Sequence, residues 1–292
     1  MSTQMIELLD VVVEAVQSTR QTLLMCSPRL YDVSYVINPW MAGNVHASSR
    51  ERAAEQWQEL HDALIRIADV KLVDPEPGSP DMVFTANAGL ECGGTVVLSS
   101  FFHSERQEEE KHFRRWFEKE GYRVVDIQRE TPFEGEGDAL FSADRTMLFV
   151  GHGPRTTESS HHALTCFGPL KVISLHLVDP RFYHLDTCFA PLNDGSVLYY
   201  PEAFSAESLA KIEARYPAGK RIIVSEQDAI CFACNAVNIG RTVLLNKISR
   251  RLRTQLDFRG FDVIEIDLSE FLKAGGAAKC LVMKLSGAPH RD

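Results

Sequence analysis

The chain has 292 residues, of which 45% are hydrophobic and 9% aromatic, too apolar for a disordered protein and enough to bury a sizeable core. Its 31 basic and 40 acidic residues leave a net charge of −9, which argues against a general nucleic-acid-binding surface. The uncharged stretch 33–49 is interrupted by Asn38, Pro39, Gly43, Asn44 and His46, so it is no membrane span.

Residues 1–20 carry Glu7, Asp10 and Glu14 within an apolar run, which does not read as a secretory signal. They stand outside the pattern that follows, as an N-terminal extension that is either a packed helix or a mobile segment. The seven cysteines are odd in number and not densely spaced, which fits reduced thiols in a cytoplasm better than a disulfide framework.

From residue 21 to 292 the chain reads as one domain. Amphipathic, helix-like stretches opening on Ser or Thr are expected at 48–68, 104–120, 157–167, 205–216 and 249–259, because such a side chain can accept the orphan N–H groups of a first turn. Each is followed by a β-rich run, at 70–73, 122–125, 171–173, 221–224 and 261–264. Strand-like pairs precede the later helices, at 82–90 and 95–99, 139–142 and 146–150, 188–192 and 196–200, and 236–240 and 242–246. The first helix would take its pair from 281–285 and 22–26, joining the two ends of the chain. The pattern predicts an α/β ring of strand–strand–helix–strand units around a central channel, where a ligand would sit. A doubly wound sheet, the competing fold, would supply one strand per helix rather than three.

The residues able to carry chemistry are scattered. Asn38, before Pro39, is by default a turn residue, although its amide could hold a planar polar ligand. Asp81 and Asn87 flank the apolar run 82–86 and read either as turn caps or as ligand contacts. Glu134, Glu136 and Asp138 alternate with Gly135 and Gly137, an arrangement suited to a cation, whether metal or guanidinium, or else a solvated acidic turn. His184 and Asp186, placed on a strand, would point to one side. Cys280 follows Gly275-Gly276-Ala277-Ala278-Lys279, whose free N–H groups would lower its pKa; buried packing is the plainer reading. Cys231-Phe232-Ala233-Cys234 lacks a second pair at zinc spacing and reads as packing, and His161-His162 as a solvated helix face.

Taken together, Pro80-Asp81-x-Val83-Phe84, Glu134-x-x-Gly137-Asp138, Gly151-His152-Gly153-Pro154-Arg155-Thr156, His184-Leu185-Asp186 and Gly275-Gly276-x-x-x-Cys280 resemble the guanidino-group modifying superfamily of arginine deiminases, dimethylarginine dimethylaminohydrolases and amidinotransferases. The resemblance spans almost the whole chain from residue 22. It implies a five-bladed pseudo-symmetric α/β propeller, which agrees with the repeat. It makes Cys280 the nucleophile, His184 the general acid and then base, and Glu134 and Asp186 the grip on the guanidinium. Arg106 and Arg155 become candidates for a substrate carboxylate and Asp81 for the amino group. No cofactor or metal is implied. The partner is a small guanidino amino acid rather than nucleic acid or membrane, and a homo-oligomer stays open.

Two departures sharpen the resemblance. Asn87 stands where common hydrolases of the superfamily carry a carboxylate, and Glu134 lies four residues before Asp138 rather than three, leaving Glu136 as a rival. With 37–41, the segment Ile-Asn-Pro-Trp-Met, Asn87 resembles the arginine dihydrolase branch, which implies hydrolysis of L-arginine through to ornithine, ammonia and carbon dioxide. Asn38 and Asn87 would then retain a neutral ureido product for a second attack. Dimethylarginine hydrolysis, amidino transfer, a metal-dependent hydrolase and a non-catalytic binding protein are the alternatives.

Overall fold

The computed structural model describes residues 20–286; the N-terminal extension lies outside them, apart from Arg20. The elements are β1 (Thr22–Cys26), α1 (Arg50–Leu64), β2 (Asp69–Val73), β3 (Gly89–Cys92), β4 (Thr95–Leu98), α2 (Gln107–Lys119), β5 (Arg123–Val125), β6 (Ala139–Phe141), β7 (Met147–His152) and β8 (Lys171–His176). There follow β9 (Phe189–Pro191), β10 (Val197–Tyr199), α3 (Ala206–Arg215), β11 (Arg221–Ile223), α4 (Glu226–Ala229), β12 (Val237–Ile239), β13 (Thr242–Leu245), α5 (Arg250–Phe258), β14 (Asp262–Glu265), α6 (Ser269–Leu272) and β15 (Met283–Leu285).

The strands form five sheets of three, β15-β1-β2, β3-β4-β5, β6-β7-β8, β9-β10-β11 and β12-β13-β14. In every sheet the first pair is antiparallel and the second parallel, since only the second is joined by a crossover long enough to reverse direction. The ends of the chain share one blade, with Thr22 opposite Leu285 and Leu24 opposite Met283. The expected five-bladed propeller is therefore the observed fold.

Blade contacts explain the residue pattern. On α1, Ala53, Trp57, Leu60 and Leu64 fall on one face and are buried. On α2 the same is true of Glu109, Phe113 and Phe117, and Glu108, Glu109 and Glu110 sit at its positive N-terminal end. Ser49, Ser205 and Ser249 cap α1, α3 and α5, each accepting a backbone N–H three residues on, a bond whose loss costs about 0.5–2 kcal/mol. The core lies between blades. Phe149 of one blade packs on Phe189 of the next at 4.9 Å and on Tyr216 at 5.7 Å.

Four expectations fail locally. The helix of the third blade is a 3-10 helix, Glu158–Phe167, and Thr157 makes no side-chain cap bond. Its hydroxyls explain the tightening: Ser160 donates to the Thr157 carbonyl and Thr165 to that of His162, in competition with α-helical pairing. His161 is buried there, bonded to Ser174, not on a solvated face. The segment 82–88 is not strand but two 3-10 turns, Pro80–Val83 and Thr85–Ala88, with β3 beginning only at Gly89. Its apolar residues are buried on every side, which removes the alternation that separates strand from turn. Likewise His184 caps the 3-10 turn Leu185–Thr187, so the i, i+2 strand argument for His184 and Asp186 does not hold.

These turns have a common place. Thr85–Ala88, Gly135–Gly137 and Leu185–Thr187 each lead directly into the first strand of a blade, β3, β6 and β9. First strands of neighbouring blades touch, β15 with β3 and β6 with β9, and so line the centre of the ring. The turns thereby deliver side chains to one mouth of the channel.

Candidate active site

The turn around Gly135 is packed so closely that only glycines fit. A Cβ at Gly135, where φ is 61°, would lie 2.7 Å from the Gly89 carbonyl oxygen, and one at Gly137 would lie 2.2 Å from Asn87 Nδ2. The flanking carboxylates are thereby held in different surroundings. Glu134 Oε2 accepts from His184 Nε2 at 2.6 Å and from Arg155 Nη1 at 3.0 Å, and Oε1 accepts from the Phe102 backbone N–H. Glu136 Oε2 instead accepts from Lys279 Nζ at 2.9 Å and from the backbone N–H of Lys284. Asp138 accepts from Thr156 Oγ1 at 2.6 Å and from the Leu185 N–H at 2.9 Å, fixing the turn that carries His184.

Burial opposes ionisation of Glu134, but Arg155, the hydrogen bond from His184, and Arg106 outweigh it and hold the carboxyl well below the ordinary range. Burial pushes His184 down to about 4 against the pull of Glu134, so the imidazole is neutral at pH 7 and its Nε2–H donates to the ionised carboxylate. His184 Nδ1 is buried and has no hydrogen-bond partner among the described residues.

Across the site lies Cys280. Its Sγ is 3.4 Å from Asp186 Oδ2 and accepts from Asn235 Nδ2 at 3.0 Å. Asn235 does more than touch the sulfur. Its Oδ1 accepts the N–H groups of Ala277 and Cys280, its backbone carbonyl accepts that of Lys279, and its Nδ2 also reaches the Asp186 carbonyl. Tyr183 holds the other end of the Gly-rich loop, donating to the Gly275 carbonyl at 2.7 Å, while Arg155 lies over its ring. Burial drives the Cys280 thiol well above its usual value and Asp186 raises it further, against the N–H of Ala277, the Asn235 amide and Lys279. Burial likewise lifts Asp186 to about 7, although Lys279 pulls it down. The expectation that free loop N–H groups would leave the thiol pKa lowered is corrected: Asn235, Phe271 and Leu272 take those of Gly275, Gly276, Lys279 and Cys280, and the lowering by that of Ala277 is outweighed by burial.

The remaining sequence candidates sit around these two groups. Asn87 donates to the Glu134 carbonyl and accepts from Arg106 Nη1 at 2.9 Å. Arg106 is clamped on Glu109 by Nε and Nη2 at 2.9 and 2.8 Å. Arg155 divides its guanidinium between Glu134 and the Ile37 carbonyl. Asp81 has one oxygen 3.9 Å from Arg106 Nε and the other without a partner among the described residues. Asn38 caps the turn Pro39–Met41 through Oδ1 and donates to the Ala274 carbonyl at 3.0 Å, tying the covering segment to the Gly-rich loop. Asn235, Thr156, Tyr183 and Lys279 escaped the sequence reading. Thr156 and Lys279 lay inside quoted motifs, but Asn235 carried no signal beyond following Cys234.

All seven cysteines are free, Cys231 and Cys234 among them. Among the described residues no group of three His, Cys, Asp or Glu could hold a metal ion, and no helix is long and apolar enough to cross a membrane.

The chain is similar to known proteins. The family of eukaryotic N,N dimethylarginine dimethylhydrolases matches residues 38–286. ArgZ of Synechocystis, a bifunctional arginine dihydrolase/ornithine cyclodeaminase, is 54% identical over 264 residues, and AgrE of Nostoc, of the same description, is 52% identical over 275. These alignments cover 90% and 94% of this chain but 37% and 39% of the relatives, so the chain spans about two-fifths of their length. An N(G),N(G)-dimethylarginine dimethylaminohydrolase of Mycobacterium tuberculosis is 38% identical over 89% of this chain and 84% of its own. Among solved structures, the N-terminal domain of ArgZ bound to substrate superposes with a TM-score of 0.90 at 53% identity, covering 91% of this chain and 98% of that domain. A dimethylarginine dimethylaminohydrolase adduct, at 18% identity and TM-score 0.74, shares the fold. Over residues 38–286 and through all five blades, the chain belongs to the dimethylarginine dimethylaminohydrolase family.

Proposed function

We propose that the chain hydrolyses L-arginine at its guanidino carbon through a covalent thiouronium on Cys280, and carries the product on to ornithine. The observation that carries the reading is a pair of unlike halves on one turn of the channel mouth: a thiol 3.4 Å from the Asp186 carboxyl, which burial lifts to about 7, and, two residues before Asp186, a neutral imidazole bonded to the ionised Glu134 carboxylate. The former has only the through-space pull of Lys279, and a guanidinium would supply a cation in direct contact. Asp186, accepting from its N–H groups, gains the partner that burial denied it. The same positive charge favours the thiolate.

The steps balance. The Cys280 proton passes to His184, whose Nδ1 is left to take it, and Glu134 stabilises the imidazolium. Sulfur attacks the guanidinium carbon, and the C–N bond breaks as His184 returns the proton to departing ammonia. The resulting thiouronium is attacked by water, which gives one proton to His184; collapse to citrulline frees the thiolate and passes the water's second proton to ammonia as ammonium, and His184 returns the first to Cys280. A second round on the ureido carbon consumes another water and yields ornithine, ammonia and carbon dioxide.

Support for the second round comes from Asn87, an amide where the superfamily's common hydrolases place a carboxylate, and from the resemblance to the arginine dihydrolases. The N-terminal domain of ArgZ has also been seen covalently bound to a reaction intermediate, which supports a covalent route here. Arg106 and Arg155 are the proposed carboxylate contacts, which requires one of them to loosen an internal ion pair, and Asp81, with a free buried oxygen, takes the amino group. Incubation with arginine, dimethylarginine and citrulline, followed by identification of every product, tests the reading. Ornithine from arginine is expected. Consumption of dimethylarginine alone would replace it with the dimethylargininase reading, and Asn38→Asp forming ornithine as efficiently as wild type would remove the amide explanation.

A further inference from the structure

The channel has a second mouth. Glu134, Asp138, His184, Asp186 and Asn235 precede the first strands of their blades, and the chain then runs through β6, β9 and β12 to the opposite side. There a cavity of about 140 Å³ opens, lined by Ala139–Phe141, Phe189–Pro191, Ala236 and Asn238 on those strands. Its charged lining is Arg145, Lys279, Lys284 and Glu136, three cations against one carboxylate. That carboxylate is already engaged by Lys279 Nζ and the Lys284 N–H. Among the described residues Lys284 Nζ makes one hydrogen bond, to the Asn238 carbonyl at 2.9 Å, and its ammonium carries three N–H donors. Arg145 stands exposed at the rim, its guanidinium over the Phe141 ring.

We propose that this cavity is a binding site for a small oxyanion, a carboxylate or phosphate held by Lys284 and Arg145, and that Lys279 couples its occupancy to Cys280 on the other face. The volume admits a group the size of phosphate or a short dicarboxylate, given about 30 Å³ for each water displaced. Burial holds the Lys284 ammonium down to about 8 despite Glu136, with Lys279 and Arg145 adding to the effect, so an anion in the cavity relieves a real excess of positive charge. The coupling is short. Lys279 lines the cavity while its neighbour in sequence is Cys280, the nucleophile of the proposed function on which the coupling rests, and its charge favours ionisation of both Cys280 and Asp186. An anion that neutralises this charge makes the thiol harder to ionise.

The probes are inorganic phosphate and malonate, with chloride at matched ionic strength as control, titrated by calorimetry into the full chain. Phosphate or malonate binds wild type, and the tighter of the two gives the chemical source. Lys284→Met weakens binding by at least about tenfold and Arg145→Met by less. Saturation with the anion slows alkylation of Cys280 by iodoacetamide several-fold in wild type and leaves its rate unchanged in Lys284→Met. Affinity unaltered in both variants, as anion binding near Arg106 and Arg155 would give, overturns the site. Because Arg145 is exposed, its variant keeps the test decisive if Lys284→Met does not fold. Loss of binding in the variants with no change in alkylation of wild type overturns the coupling.

Discussion

Glu134 and Asp186 are both buried carboxylates at one mouth of the ring, yet they differ in charge. Glu134 lies 3.0 Å from an arginine and 2.6 Å from an imidazole and stays ionised. Asp186 faces a thiol at 3.4 Å, with Lys279 acting on it from outside its hydrogen-bond shell, and burial lifts it to about 7. The difference teaches that Glu134 finds its charge partners within the protein, while Asp186 and the Cys280 beside it are left raised by burial.

The largest effect is expected from separating Glu134 from Glu136. Glu134→Gln should lower kcat by about 10²–10⁴ because the imidazolium loses its stabiliser, and steady-state rates across pH measure it. Glu136→Gln, which touches neither His184 nor Cys280, should cost tenfold or less. Equal losses would break the contrast. The melting temperature must be followed in both, since removing one partner of a buried pair such as Arg155–Glu134 can cost about 3–5 kcal/mol.

Asp186→Asn sharpens the comparison from the other side. The guanidinium grip is lost, so the KM for arginine should rise by about 10²-fold. Yet alkylation of Cys280 in the free enzyme should speed up at pH 7, because Asp186 is the charge that raises the thiol beyond what burial does. In wild type the alkylation rate should climb with pH through 9 without a plateau, as a thiol above its usual range requires. Slower alkylation in the variant would mean that Asp186 serves as the thiol's base.

Asn235→Ala should give the smallest effect, about tenfold to a hundredfold in kcat with KM little changed. The amide positions the Cys280 loop by three hydrogen bonds and does not need to touch substrate. Asn235→Asp, which keeps the acceptor but puts a carboxylate beside the sulfur, should retain the loop and lose the thiolate. Rescue by Asp would leave loop positioning as the whole role and overturn the part assigned to the amide N–H on the sulfur.

Much of this was legible in residue order. Blade count, strand partners and the pairing of 22–26 with 281–285 follow from a recurring pattern of caps, apolar runs and Gly stops, because each blade must bury its own two faces. Cys280, His184 and Glu134 were visible as chemistry-bearing residues in quoted motifs. The three 3-10 turns at the channel mouth were not, because a segment buried on every side shows no periodicity. Asn235 was invisible for a related reason: its partners Ala277 and Cys280 are more than forty residues away, and an amide bonded to backbone selects nothing about their identity.

By itself the sequence determined the five-unit ring, since local propensity, capping and alternation depend on neighbours along the chain. Only the tertiary structure decided which carboxylate faces His184, which faces Lys279, and why the Cys280 thiol is raised rather than lowered. Those outcomes depend on burial and on charges brought within 4 Å from distant blades, and in a low-dielectric interior such neighbours outweigh anything an adjacent residue supplies.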